Sequence, residues 1–134
     1  LITTLTMIFI GFGASASSIK DMYALCKPLQ NSGFNMTTNR TVDAVICLTY
    51  MRALMDAGNW NCKILRAAKK NGVNTKSGEF KMTKNLMANA NVSMEALITS
   101  FIKYAENNPP EWDNPVSTRS SDFLVKDFPC NLDK

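Results

Sequence analysis

The chain has 134 residues, 46% of them apolar and 19% charged, with fifteen Lys and Arg against eleven Asp and Glu. That length suits one domain, and the apolar share is too high for a disordered chain. Histidine is absent, which excludes Ser-His-Asp and Cys-His catalysis, histidine-ligated zinc and histidine pH sensing.

Leu1–Phe12 carries no charge and is mostly apolar, and it breaks into Gly13-Ala14-Ser15-Ala16-Ser17. Ala14 and Ala16 stand in the A-x-A relation that signal peptidase accepts. Residues 1–16 therefore read as part of a signal peptide whose basic front end is missing, and residues 17–134 as a single helical domain. The apolar run falls short of the roughly 20 residues a bilayer-crossing helix needs, so no membrane anchor is expected in the mature form.

Export sets the reading of Cys26, Cys47, Cys62 and Cys130. In an oxidising compartment they form two disulfides, with three pairings open. Their spacings of 21, 15 and 68 residues lack the close pairs of a metal site. No metal and no cofactor are expected.

Ile19–Leu29 places Ile19, Met22, Tyr23, Cys26 and Leu29 on one helical face, with Pro28 and Asn31-Ser32-Gly33 as the stop. Asn39 or Thr41 caps a second helix over Val42–Ala57, ended by Gly58. Apolar residues surround that helix, which predicts a central position in the core. A third helix over Cys62–Lys70 sets Ile64, Leu65 and Ala68 on one side and Lys63, Arg66 and Lys70 on the other. Lys81–Ala90 reads as a short helix. Ser93–Asn107 has the strongest amphipathic pattern, with Met94, Leu97, Ile98, Phe101, Ile102 and Ala105 in register. Pro109-Pro110 breaks the chain, and Pro115 opens a last helix reaching Phe128. No run alternates with period two. The expected fold is all-α, a compact bundle of five or six helices with two disulfides.

Residues 71–80 form a polar connection longer than helix pairs commonly need. Lys70, Asn71, Gly72, Asn74, Thr75, Lys76, Ser77, Gly78, Glu79 and Phe80 are the candidate partner-binding residues, with Phe80 and Glu79 offering an apolar anchor and a charge. From Lys63 to Lys84 seven basic residues face one acid, and from Tyr104 onward six acids face three bases. A basic face of this kind steers an acidic partner. Nucleic acid is not expected, because the stretch has no aromatic interleaving and no reader motif.

The segment Cys47-Leu-Thr-Tyr50-Met-Arg-Ala53-Leu-Met-Asp56-Ala57 resembles the Cys-x-Gly-Tyr-x-x-Gly-x-x-Asp-Ala pattern of the Tai/Rap immunity proteins, periplasmic antidotes to type VI secretion amidase effectors. Thr49 and Ala53 stand where that pattern has glycines. Lys103-Tyr104, Asn108-Pro109, Glu111, Phe123-Leu124 and Phe128-Pro129-Cys130 are similar to the family's closing elements. The resemblance implies a helical, non-catalytic homodimer in the periplasm, disulfides Cys26–Cys47 and Cys62–Cys130, and a cognate peptidoglycan amidase as partner. Members related to the fourth amidase class place a loop in the groove of a papain-like enzyme, and residues 70–80 are the matching segment here.

The residues alone admit two other classes. Eight methionines suit a pliable cavity, as in a secreted helical carrier of a small apolar ligand, for which Asn35, Asn39 and Asn91 would be glycosylation sites. An enzyme is disfavoured, since Asp43 and Asp56 lie thirteen residues apart and form no local acid pair. Asp56 reads as a partner in a structural hydrogen bond or ion pair, and Trp60 and Trp112 as packing residues.

Overall fold

The computed structural model describes residues 17–35, 37, 41–74 and 92–132. Among them are three α-helices, α1 (Ile19–Asn31), α2 (Val42–Lys70) and α3 (Met94–Asn107). Two 3-10 turns (Pro109–Glu111 and Val116–Thr118) and a π-helical segment (Ser121–Val125) follow. The described residues hold no strand, and Ser18 and Pro115 form an isolated antiparallel bridge. The all-helical class is as expected. The expected signal peptide, the Lys81–Ala90 helix and loop residues Thr75–Phe80 lie outside the described residues.

Each α-helix starts on a hydroxyl cap that satisfies an otherwise orphaned backbone donor. Ser18 accepts from the Asp21 amide in a capping box, Thr41 from Ala44 at 3.2 Å, and Ser93 from Ala96 at 3.1 Å. α1 runs through Pro28, which was expected to help end it, and stops at the expected Asn31-Ser32-Gly33 cluster. Its end is set by the amides of Gly33 and Phe34, which close onto the carbonyls of Gln30 and Leu29. That pattern needs left-handed backbone just past the helix, met by Gly33 (φ 63°) and by Phe34 (φ 60°).

The expected second and third helices are one, and Gly58 does not end α2. Cys47, Met51, Gly58, Cys62 and Leu65 are all buried on one face, so the core-facing stripe crosses Gly58 without a phase shift. A mid-helix glycine costs about 1 kcal/mol, which packing along both halves outweighs. α2 is not central either. Its other face is open to solvent, with Val42, Val45, Ile46, Trp60 and Ile64 exposed. The last expected helix is likewise broken into a 3-10 turn and a π-helical segment. Its ends are tethered, by the Val116 amide to the Ser17 carbonyl at 3.1 Å and by Cys130 to Cys62.

The core lies where α1, α2, α3 and the π-helical segment meet. Phe101 and Phe123 are buried edge to face with centroids 5.3 Å apart, and Met22 and Met51 fill the space beside them as ordinary core residues. Cys26–Cys47 joins α1 to α2 within this core, with Cα atoms 5.3 Å apart. Cys62–Cys130 joins the chain end to the outer half of α2. Both are the pairs the resemblance implied. The amides of Ile19 and Lys20 donate to the carbonyls of Asn114 and Trp112, docking the start of α1 against the 112–116 segment.

Candidate partner-binding site

The candidate loop leaves α2 through a fixed geometry. Lys70 is the last helical residue and Asn71 the cap. The Gly72 amide donates to the Lys69 carbonyl at 3.1 Å and the Val73 amide to the Ala68 carbonyl at 3.0 Å. These two bonds form a Schellman ending, which requires left-handed backbone at the residue after the cap. Gly72 supplies it, with φ of 72°. Residues 71–74 are exposed, so the chain leaves α2 into solvent.

The outer end of α2 is braced from the side by the C-terminal segment. Cys62 is bonded to Cys130 two turns before Lys70, and Arg66 donates from Nε to the Asn131 carbonyl at 2.6 Å. Lys63, Lys69 and Lys70 are exposed around this brace. Lys69 and Lys70 lie in the last turn, where cations interact favourably with the helix dipole. Of the ten candidate residues, the structure places Lys70, Asn71, Gly72 and Asn74 together at this helix end; Thr75–Phe80 fall outside the described residues.

The residues that carry the family resemblance are mostly structural. Tyr50 is half-buried, and burial lifts its hydroxyl above the ordinary tyrosine range while a hydrogen bond with Ser117 pulls it down. Tyr104 is also raised, first by burial and then by the nearby Asp122 and Glu111 carboxylates. Asn108 donates to the Tyr104 carbonyl at 2.8 Å, and Phe123 and Leu124 are in the core. Asp56 pairs with Arg52 at 3.8 Å on the exposed side of α2, an ion pair as expected.

The two tryptophans diverge. Trp112 packs as expected: its ring stacks on Tyr23 at 5.7 Å and its Nε1 donates to the Ala105 carbonyl at 2.7 Å. Trp60 does not pack; 64% of it is exposed. The apolar outer face of α2 to which Trp60 belongs went unrecognised in the sequence, where apolar residues all round a helix signalled central burial.

At the far end from the loop, Glu106 accepts from Lys27 Nζ at 2.6 Å and from the Tyr23 hydroxyl at 2.9 Å. These bonds, Lys27 first, hold the Glu106 carboxyl below its usual range, and the same contact raises Lys27. Between α3 and the C-terminal segment lies an open hollow of about 450 Å³ bordered by Thr99, Lys103, Asp127 and Phe128. There the Ser100 hydroxyl donates to the Asp127 carboxylate. A hydroxyl so placed has no imidazole to activate it, since the chain has none. Among the described residues no helix is long and apolar enough to cross a membrane, and no group of three or more His, Cys, Asp or Glu is placed to hold a metal.

No curated protein and no solved structure matches the chain. A family model described as Rap1a immunity proteins matches residues 18–130, from the N-cap of α1 to the last cysteine. That span takes in the core, both disulfides and the braced helix end, and the family is one of immunity proteins rather than of enzymes. The chain belongs to the Rap1a immunity protein family.

Proposed function

We propose that this chain is a periplasmic immunity protein that binds a type VI secreted peptidoglycan amidase and blocks it by placing the loop after α2 in the enzyme's substrate groove. The observation that carries the reading is membership of an immunity-protein family across nearly the whole folded region. The braced end of α2 supports the loop as the contact element. A loop whose base is held by a disulfide, an arginine bond and a Schellman ending loses less freedom on binding, and that loss opposes affinity. A groove that accepts an extended peptide is filled by backbone of similar shape with no reaction required. Lys63, Lys69 and Lys70 near the loop raise the encounter rate with an acidic rim and select among partners. Residues 1–16 act as the export signal in this reading, and the mature protein works as a homodimer.

The test is inhibition of an exported amidase encoded beside this gene. The purified chain is expected to suppress cleavage of peptidoglycan stem peptides. Deletion of Asn74–Glu79 is expected to abolish that suppression while leaving the helical circular dichroism intact. Undiminished cleavage in the presence of the intact chain overturns the reading.

A further inference from the structure

A groove runs along one side of α3, and its far wall is the C-terminal segment. Ala96, Ser100, Lys103 and Asn107 succeed one another at steps of three or four residues, so they form one row on α3. The hollow of about 450 Å³ described above covers the first part of that row, and a second hollow of about 310 Å³ covers the rest. Ser100, Lys103 and Asp127 border both, which makes the two one continuous groove. Each part reaches the size of small-ligand sites, which begin near about 300 Å³. We propose that this groove binds a short peptide with free termini and an apolar middle side chain. Its carboxylate lies between Lys103 and Lys126 and its ammonium at Glu95. The site goes beyond the proposed function and depends neither on the loop nor on the effector.

The charges suit both ends of such a ligand. Lys103 stands on α3 and Lys126 on the opposite wall, both exposed at the second hollow. Neither has a hydrogen bond or ion pair among the described residues. The acids beside them are engaged: Asp122 pairs with Arg119 at 3.8 Å and accepts from the Tyr104 hydroxyl at 3.4 Å, and Asp127 accepts from Ser100. One exposed lysine is ordinary surface, whereas two ammonium groups bordering a hollow from opposite walls favour an anion between them. A carboxylate offers one oxygen to each. Glu95 is exposed at the edge of the first hollow, also without a partner among the described residues. From Glu95 to Lys103 is about 12 Å along α3, close to the roughly 10 Å of an extended tripeptide.

Between the charged ends the walls suit the middle of a peptide. Ala96 and the partly buried Phe128 border the first hollow, where an apolar side chain is removed from water. The Ser100 hydroxyl holds Oδ2 of Asp127, while Oδ1 has no partner among the described residues and is placed to accept a peptide N–H. That acceptor favours a peptide over a fatty acid, which brings a carboxylate but no N–H. The far wall is fixed before any ligand arrives, by the Phe128 amide bonded to the Leu124 carbonyl at 3.0 Å and by Cys130 bonded to Cys62. A site formed in advance costs less to fill.

The experiment is titration of the nitrogen-15-labelled chain with alanyl-leucyl-alanine, read by amide chemical shifts. Saturable binding is expected with a Kd on the order of 0.1 mM, with the shifts clustered at Glu95–Lys103 and Lys126–Phe128. Amidating the carboxyl end of the peptide is expected to weaken binding about 10-fold, and acetylating its amino end about 3-fold. Lys103→Met with Lys126→Met is expected to weaken it about 10-fold. Ala96→Leu, which fills the apolar part, is expected to abolish it, and circular dichroism reports the folding of both variants. No saturation by about 10 mM peptide, or shifts confined to another part of the chain, overturns the proposal. Equal affinity for the peptide and its amide, or hexanoate binding as tightly as the peptide, overturns it as well. These ligand comparisons use the parent chain, so they decide the matter even where a variant does not fold.

Discussion

Arg66 donates from its Nε to the backbone carbonyl of Asn131 at 2.6 Å, one turn along α2 from the point where Cys62 holds Cys130. The covalent and the hydrogen-bonded tether together fix the C-terminal segment against the helix end from which the candidate loop departs. A carbonyl bonded by a charged donor is a stronger tether than a neutral pair.

Removing the covalent tether is therefore expected to act on stability and on binding. Cys62→Ser with Cys130→Ser opens a loop spanning 68 residues, for which the chain-entropy account gives about 4 kcal/mol. Urea unfolding is expected to show a loss of that order. Amidase inhibition is expected to weaken while the variant is still folded, because the loop base loses its brace.

Gly72 offers a separate handle on the loop's exit. A Cβ added there meets nothing within 4 Å, so the cost of substitution is conformational only. Gly72→Ala is expected to lose about 1 kcal/mol, and Gly72→Asn less, since asparagine tolerates left-handed backbone better. Denaturant midpoints of the two variants check the order.

The Glu106 contact predicts a pH dependence at the acid end. Its carboxyl is held below the ordinary range by Lys27 and Tyr23. The stability it contributes is thus present above the unfolded carboxylate pKa and lost as pH falls through the lower folded one. Lys27 is raised, so its share is present below the ordinary lysine pKa and lost only as pH rises through the folded value. Glu106→Gln is expected to lower the melting temperature at neutral pH and leave it little changed at acid pH, which flattens the acid limb of a plot of melting temperature against pH.

Phe101 tests the core directly. It is fully buried and meets Phe123 edge to face. Phe101→Ala is expected to cost about 3–5 kcal/mol through lost burial and a residual cavity, read as a shift in denaturant midpoint. A loss below about 1 kcal/mol would mean that α3 is not the centre of the bundle.

Periodicity made α3 legible almost residue for residue: Leu97, Ile98, Phe101, Ile102 and Ala105 are all buried as their spacing implies. The cap of α2 was readable as Asn39 or Thr41, and it is Thr41, whose hydroxyl accepts from the Ala44 amide three residues on. The family pattern around Cys47 and the closing Phe128-Pro129-Cys130 pointed to the pairing that the structure bears out. These signals are local, or belong to a chain already matched to others.

Pro28, Gly58 and Trp60 were misread for a common reason. A proline or a glycine carries a local cost of breaking or weakening a helix, yet whether the helix ends there depends on what the next turns gain by staying helical. α2 continues because Cys62 and Leu65 gain burial on the stripe already set by Cys47 and Met51. The outer apolar face of the same helix looks, in a string of letters, no different from its inner one. Only packing of α1 and α3 on one side distinguishes them, and burial is a property of neighbours far away in sequence. The order of residues was enough for α3, the start of α2 and the family resemblance; where α2 ends and which of its two apolar faces meets the core were settled by three-dimensional contact.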